Sequence, residues 1–213
     1  MVELLIDQSL LTPESRPLCL EFSNTLDWHA SAAPEEKLAD YPDLVGWAVR
    51  AGILRQAQAD RLIEAAGQDP AAAAAVLRRA RDLREAIYRL FSAIAHGQPP
   101  PDDDLGLLNR ALGDALGRQR LTHTAQGFTW DWREIDPPPL DRMLWPIARS
   151  AADLLTSPHL DRVGQCADDR GCGWLFLDTS RNHSRRWCGM DGCGNRAKAR
   201  RYYARSRKSA APA

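Results

Sequence analysis

The run CADDRGCGWLFLDTSRNHSRRWCGMDGCGNR, Cys166 to Arg196, decides how the C-terminal part of this chain folds. It holds four of the five cysteines, Cys166, Cys172, Cys188 and Cys193, within 28 residues. They form two pairs, Cys166-x5-Cys172 and Cys188-x4-Cys193, separated by fifteen residues. Paired thiols at short spacing read as a metal site before they read as disulfides. Four sulfur ligands suit one tetrahedral zinc ion and leave no open position, so the expected role of the metal is structural. The insert has room for a hairpin, with Trp174–Leu177 going up, Asp178–Ser180 turning and Arg185–Trp187 returning. The module's own apolar residues are few, chiefly Val163, Trp174, Leu175, Phe176, Leu177 and Trp187. A core that small calls for metal, which supplies on the order of 10 kcal/mol in small zinc modules.

A basic segment follows the last cysteine. Arg196, Lys198, Arg200, Arg201, Arg205, Arg207 and Lys208 are interspersed with alanines, a composition that favours helix, with Asn195 as a candidate N-cap. Cations fall on nearly every side of this helix, so it has no core face. It suits a helix lying against phosphates, with a few side chains reaching base edges. Arg185 and Arg186 extend the positive surface. The candidate nucleic-acid contacts are therefore Arg185, Arg186, Asn195, Arg196, Lys198, Arg200, Arg201, Arg205 and Arg207.

The formal net charge of zero conceals this segregation. Residues 181–208 hold ten Lys or Arg and one acid, Asp191, leaving 18 basic and 27 acidic residues elsewhere among the 213. Such asymmetry points to a polyanionic partner at the basic end. No stretch is apolar enough to span a membrane, and no basic segment followed by an apolar one opens the chain. The expectation is a cytoplasmic protein with no membrane partner.

The body reads as mainly helical. Apolar positions Val76, Leu77, Ala80, Leu83, Ile87, Leu90, Phe91 and Ile94 recur at three and four residues, predicting a helix over 70–96. Asp69 is its N-cap, Pro70 its first residue and Gly97 its stop. Shorter helices are expected from Pro42 to before Gly52, over 56–66 closed by Gly67, over 102–117, and over 140–156. Phe128–Trp132 alternates as a strand of a hairpin does. Residues 31–41 read as loop. Leu18–Leu26 fits either a short strand or the first turn of a helix. Cys19, between two leucines, reads as a core thiol. Asn24, Trp28, His29, Trp47, Tyr88 and Trp130 are candidates to line a pocket, though aromatic residues in a helical domain more often belong to its core. The break at Ser157-Pro158 divides a helical domain, residues 1–158, from a small C-terminal module, residues 161–208.

The Cys193-Gly194-Asn195-Arg196 run closely resembles the CGNR zinc-finger family. It is joined in this by Cys188-Gly189-Met190-Asp191-Gly192, Trp174–Ser180 and Arg185-Arg186-Trp187. Leu18-Cys19-Leu20-Glu21-Phe22-Ser23-Asn24-Thr25 looks like the start of the ABATE domain that usually precedes such a finger. The resemblance implies a bacterial, stress-related transcription regulator with a treble-clef-like finger, Cys166, Cys172, Cys188 and Cys193 being the ligands. Its N-terminal domain would sense a small molecule or mediate homodimerisation. Cys166-x5-Cys172 is one residue wider than the family spacing, with Gly171 as the extra residue. The reading from these residues is duplex DNA binding without enzymatic activity. The alternatives are RNA binding, with Tyr202 and Tyr203 stacking on bases, and a metal-dependent nuclease, for which His183 alone lies in the finger.

Overall fold

The computed structural model describes residues 16–209, with side chains through Tyr203. Residues 1–15, on which the expectation about an N-terminal leader falls, and the side chains of Arg205, Arg207 and Lys208 lie outside the described residues.

The long helix falls where the periodicity places it, at Pro70–Ala95 (α4, following α1 Leu18–Ser23, α2 Tyr41–Arg50 and α3 Gln56–Gln68). The Asp69 carboxylate accepts from the Ala72 amide at 2.9 Å, and Gly97 turns the chain out at φ +66°. Its inward stripe, including Ala80, Leu83, Ile87, Leu90 and Phe91, is almost wholly buried. The other helices pack around that stripe. Helix α2 starts with a reciprocal Asp40–Asp43 capping box and stops at Gly52, φ +74°. Helix α3 runs one residue past Gly67, its expected stop.

Helices α5 (Asp102–Leu116) and α6 (Leu144–Leu155) complete the bundle. The latter begins four residues later than the sequence suggests. Tyr41 Oη donates to the Leu140 carbonyl at 2.8 Å, and Arg142 N closes a turn on Pro139 O at 3.1 Å. Residues 140–143 are thereby held as turns.

The ambiguous segment resolves as helix α1, with Cys19, Leu20 and Phe22 buried, followed by β1 (Leu26–Asp27). That strand pairs with β2 (Glu35–Glu36), inside the stretch expected to be loop. The aromatic strand is β4 (Gly127–Trp132), paired antiparallel with β3 (Gln119–Thr124).

The C-terminal module contains β5 (Val163–Gln165), β6 (Leu175–Leu177), a π-turn over Met190–Gly194 and α7 (Asn195–Ser209). Three expectations are corrected here. The strand partner of Leu175–Leu177 is Val163–Gln165, not Arg185–Trp187. The Asp178 carboxylate accepts from both Ser180 N and Arg185 N, at 2.8 and 2.9 Å, and so gathers residues 178–185 into a closed loop. Asn195 is not an N-cap, because the π-turn runs directly into α7 and places Asn195 in helical conformation, φ −67°, ψ −39°. Nor is the module's apolar core a separate one: its own cluster is limited to the cysteines with Trp28, Trp174 and Trp187 around them. Val163, Leu175 and Leu177 belong to the same buried cluster as the bundle.

Candidate metal centre and nucleic-acid interface

The four sulfurs of Cys166, Cys172, Cys188 and Cys193 lie within 4.8 Å of one another. Cys172–Cys188 and Cys188–Cys193 are 3.7 Å apart. A tetrahedron with Zn–S bonds near 2.3 Å has edges of about 3.8 Å, which these two separations match, so the cluster has the dimensions of a four-sulfur zinc site. All five cysteines are free thiols, which removes the disulfide alternative. Hydrogen bonds from Cys172 and Cys188 favour ionisation of Cys166, while burial and the neighbouring thiols oppose it at Cys193, so the four cannot all ionise without a counter-charge. Four thiolates gathered this closely need a cation to share. Cys166, despite its wider spacing, is a full member of the cluster.

Each sulfur is placed by a distinct local device. Cys166 follows β5, its amide donating to Trp174 O at 2.8 Å. Cys172 sits between Gly171 (φ +87°) and Gly173 (φ +69°). A Cβ at either glycine would lie 2.7 Å from the backbone of Ser31 or Ala30, so both positions require glycine's bare backbone. The extra residue Gly171 is thus the point where the body presses on the knuckle. His29 N and Ala30 N donate to Cys172 O and Gly171 O, both at 3.1 Å. Cys188 enters from the closed loop, and Cys193 lies in the π-turn.

An outer layer surrounds the sulfurs. Arg196 donates from Nη2 to Cys193 Sγ at 2.8 Å, and from Nε and Nη2 to Asp168 Oδ2 at 3.1 and 2.9 Å. The Asp168 side chain is fully buried. Burial opposes its ionisation, but the Arg170 amide and the Arg196 guanidinium hold its carboxyl below the usual carboxylate range. Trp28 from the body lies between Arg170 and Arg196, 5.1 and 5.3 Å from its ring centre. Asp168 carries no role in the sequence reading, and Trp28 figures there only as a pocket candidate, not as a partner of the metal cluster. The available signal was an acid two residues from a thiolate ligand, which is unfavourable unless a cation sits between them.

The basic residues divide into two groups. Arg185, though exposed, is tied down on the finger: its guanidinium donates to Leu177 O, Trp187 O and Cys188 O and lies over Phe176. Arg196 is held as described, and Arg200 pairs with Asp169. Arg186 and Arg201 instead flank Trp187 on an exposed face, 5.6 and 5.7 Å from its ring. They border a small cleft of about 320 Å³. Lys198 is exposed on α7, as is Asn195. Among the described residues neither Arg186, Lys198 nor Arg201 has an acidic partner. No second cluster of three or more metal-binding side chains occurs among the described residues, and His183 stands exposed on the loop.

A cleft of about 1110 Å³ separates the body from the finger, lined among others by Asn24, Trp28, Trp47, Arg50, Trp174 and Arg196. Three pocket candidates from the sequence therefore line it. Asn24 also ties the two parts together, accepting from Leu175 N and donating to Leu175 O, both at 2.9 Å. His29 and Tyr88 are instead stacked on each other at 3.4 Å, and Trp130 is exposed on the β3–β4 hairpin.

Residues 16–158 match the model of the ABATE family, described as "Putative stress-induced transcription regulator". Residues 162–206 match the CGNR zinc finger. No curated protein matches the chain. Among the described residues no helix is long and apolar enough to cross a membrane.

Proposed function

The chain belongs to the ABATE family and carries a CGNR zinc finger with one structural zinc ion, and from that premise we propose that it is a bacterial, cytoplasmic, stress-responsive transcription regulator that binds duplex DNA through the outer face of the finger. The observation carrying this reading is the arrangement of Arg186 and Arg201 on either side of Trp187, with Lys198 nearby on the same metal-anchored helix. Cations without acidic partners can meet phosphates at little cost, whereas Arg185, Arg196 and Arg200 would first have to give up partners inside the finger. The contact set thereby narrows to Arg186, Lys198 and Arg201, with Asn195 at the exposed start of α7 and Arg205 and Arg207 further along it. Four thiolates saturate the metal, so the zinc's role is structural and not catalytic, in keeping with a regulatory protein.

The helical domain supplies control. An effector seated between Trp47 and Trp174 would touch the body and the finger together, and two copies of the chain would read two half-sites.

Fluorescence anisotropy with a random-sequence duplex tests the reading. With four to six phosphate contacts, log K should fall against log salt with a slope of about −4 to −5. Arg186→Ala and Lys198→Ala should each reduce that slope by about one. Absence of duplex binding by the zinc-loaded protein at low salt would end the proposal. The exposed Tyr202 and Tyr203 favour single-stranded RNA as a second reading, and tighter binding to RNA than to duplex at equal salt would select it.

A further inference from the structure

The β3–β4 hairpin presents an apolar face that the fold does not use. The register pairs Gln119 with Trp132, Leu121 with Trp130 and His123 with Phe128, so these six side chains share one face. At its base Trp132 packs on Trp145, with ring centres 6.0 Å apart, and Arg149 Nη1 donates to Gln119 Oε1 at 2.9 Å. Beyond that anchor the face leaves the body. Leu121 is 61% exposed, Phe128 78% and Trp130 56%. Apolar residues contiguous on one face form the kind of patch that is often functional, unlike a scattered exposed leucine.

The chemistry of the two faces narrows the occupant. The outward face carries Leu121, His123, Phe128 and Trp130 and no Asp, Glu, Lys or Arg. The hairpin's own cation, Arg120, lies on the opposite face, paired with Asp131 at 3.2 Å among threonines. Phosphates of nucleic acid or lipid would therefore find no cation to meet on this face. A two-stranded ribbon is marginal unless its apolar side gains a second layer. An uncharged face can meet its own copy without repulsion, and two such ribbons stacked face to face give each the layer it lacks.

We infer that this hairpin is the homodimer contact, the face of Leu121, His123, Phe128 and Trp130 packing on the same face of a second copy. The inference rests on the two-copy part of the function proposed above. The exposed parts of the three apolar side chains amount to about 400 Å² per copy, hence about 800 Å² in a pair. That is about half the surface a standard stable interface buries. The pair is accordingly weak in free solution and gains from DNA that brings two copies together, since tethering raises the effective concentration to about the millimolar range. The hairpin packs on α6 while the finger packs on α1 and α4, so this pairing leaves the basic face of α7 uncovered.

Sedimentation equilibrium of the zinc-loaded full chain over about two decades of concentration tests the contact. The weight-average mass should climb from 23.7 kDa toward twice that value. Phe128→Ser/Trp130→Ser should stay at the single-chain mass with an unchanged thermal midpoint, because both side chains are exposed. Leu121→Glu should also remain single. Mixing it with Leu121→Lys should restore the heavier species, a rescue that only face-to-face pairing provides. A wild type that stays single at every concentration overturns the inference, as does association that survives these substitutions or a mixture that fails to associate. Sedimentation of the single-chain protein with lipid vesicles overturns it too. Duplex binding by Leu121→Glu to a single site should remain within about twofold of wild type, so the dimer contact and the DNA reading fail separately.

Discussion

Arg196 donates from Nη2 to Cys193 Sγ at 2.8 Å, three residues back along the chain, while the same guanidinium pairs with the buried Asp168 carboxylate. One side chain thus links the second cysteine pair, the first knuckle and the start of α7. Four thiolates on a divalent ion leave two excess negative charges, and a guanidinium donating to one sulfur offsets part of that charge. Outer-layer partners of this kind typically contribute about tenfold to hundredfold to metal affinity. We expect Arg196→Gln to lose zinc to a competing chelator at about that ratio, with the metal still bound at one per chain in its absence. Arg196→Lys should recover only part of the loss, because an ammonium cannot serve Asp168 and Cys193 in the same forked geometry. Retention equal to wild type in Arg196→Gln would assign the pair to packing alone.

The five thiols should divide four to one. Cys19 is fully buried in α1, with its thiol pushed up to about 12 by burial, so it is neither exposed nor ionised at neutral pH. Zinc protects the other four. A thiol-reactive chromophore at pH 8 should therefore count few thiols in the native protein, four after chelation and five in denaturant. A count of five on chelation alone would mean that metal loss unfolds the bundle as well. The shared core of Val163, Leu175 and Leu177 makes that coupling a measurable question.

Much of this was legible because the deciding signals were local. The Asp69-Pro70 start and Gly97 stop of α4, the apolar stripe between them and the four ligands all follow from neighbours in sequence. Asn195 as a cap and Arg185–Trp187 as a strand were misread for a common reason. Each depends on what a distant or intervening group does to the backbone: the π-turn ahead of Asn195, and the Asp178 carboxylate closing its loop. Arg185, Arg196 and Arg200 look alike in sequence to Arg186 and Arg201. Their engagement within the finger needs the carbonyls of Leu177 and Cys188 and the carboxylates of Asp168 and Asp169 in place. The body's insertion at Trp28–Ser31 left no sequence pattern at all.

That insertion can be tested at Gly173. Its φ of +69° disfavours any side chain, and a Cβ there would lie 2.7 Å from Ala30 N and 2.9 Å from Tyr88 Oη. Gly173→Ala should destabilise the protein by about 3 kcal/mol, combining backbone strain with displacement of the loop. The sulfurs themselves are not obstructed, so zinc content should remain one per chain. Denaturant unfolding with parallel metal analysis checks both halves of the expectation.

The seam between α4 and β2 carries an acid dependence of its own. Arg84, 3% exposed, donates from Nη1 and Nη2 to the two oxygens of Glu36 at 2.6 and 2.7 Å, and from Nε to Glu85 at 3.1 Å. Burial works against the ionised Glu36, but the Arg84 pairing and the Leu38 amide outweigh it and hold its pKa below 4.5. Glu85 is likewise lowered, burial being outweighed by His29 and Arg84. A carboxylate with a depressed folded pKa binds fewer protons when folded than when unfolded. Its stabilisation is complete above the unfolded value and is lost as pH falls through the folded one. Stability should therefore decline from about pH 5 towards about pH 3, apart from any metal release. Glu36→Gln should cost about 2 kcal/mol at neutral pH, less than a sealed pair would, because solvent reaches Glu36 and Glu85 still balances Arg84. It should also flatten that acid limb. An unchanged limb in the variant, followed by thermal unfolding against pH, would place the acid sensitivity elsewhere in the fold.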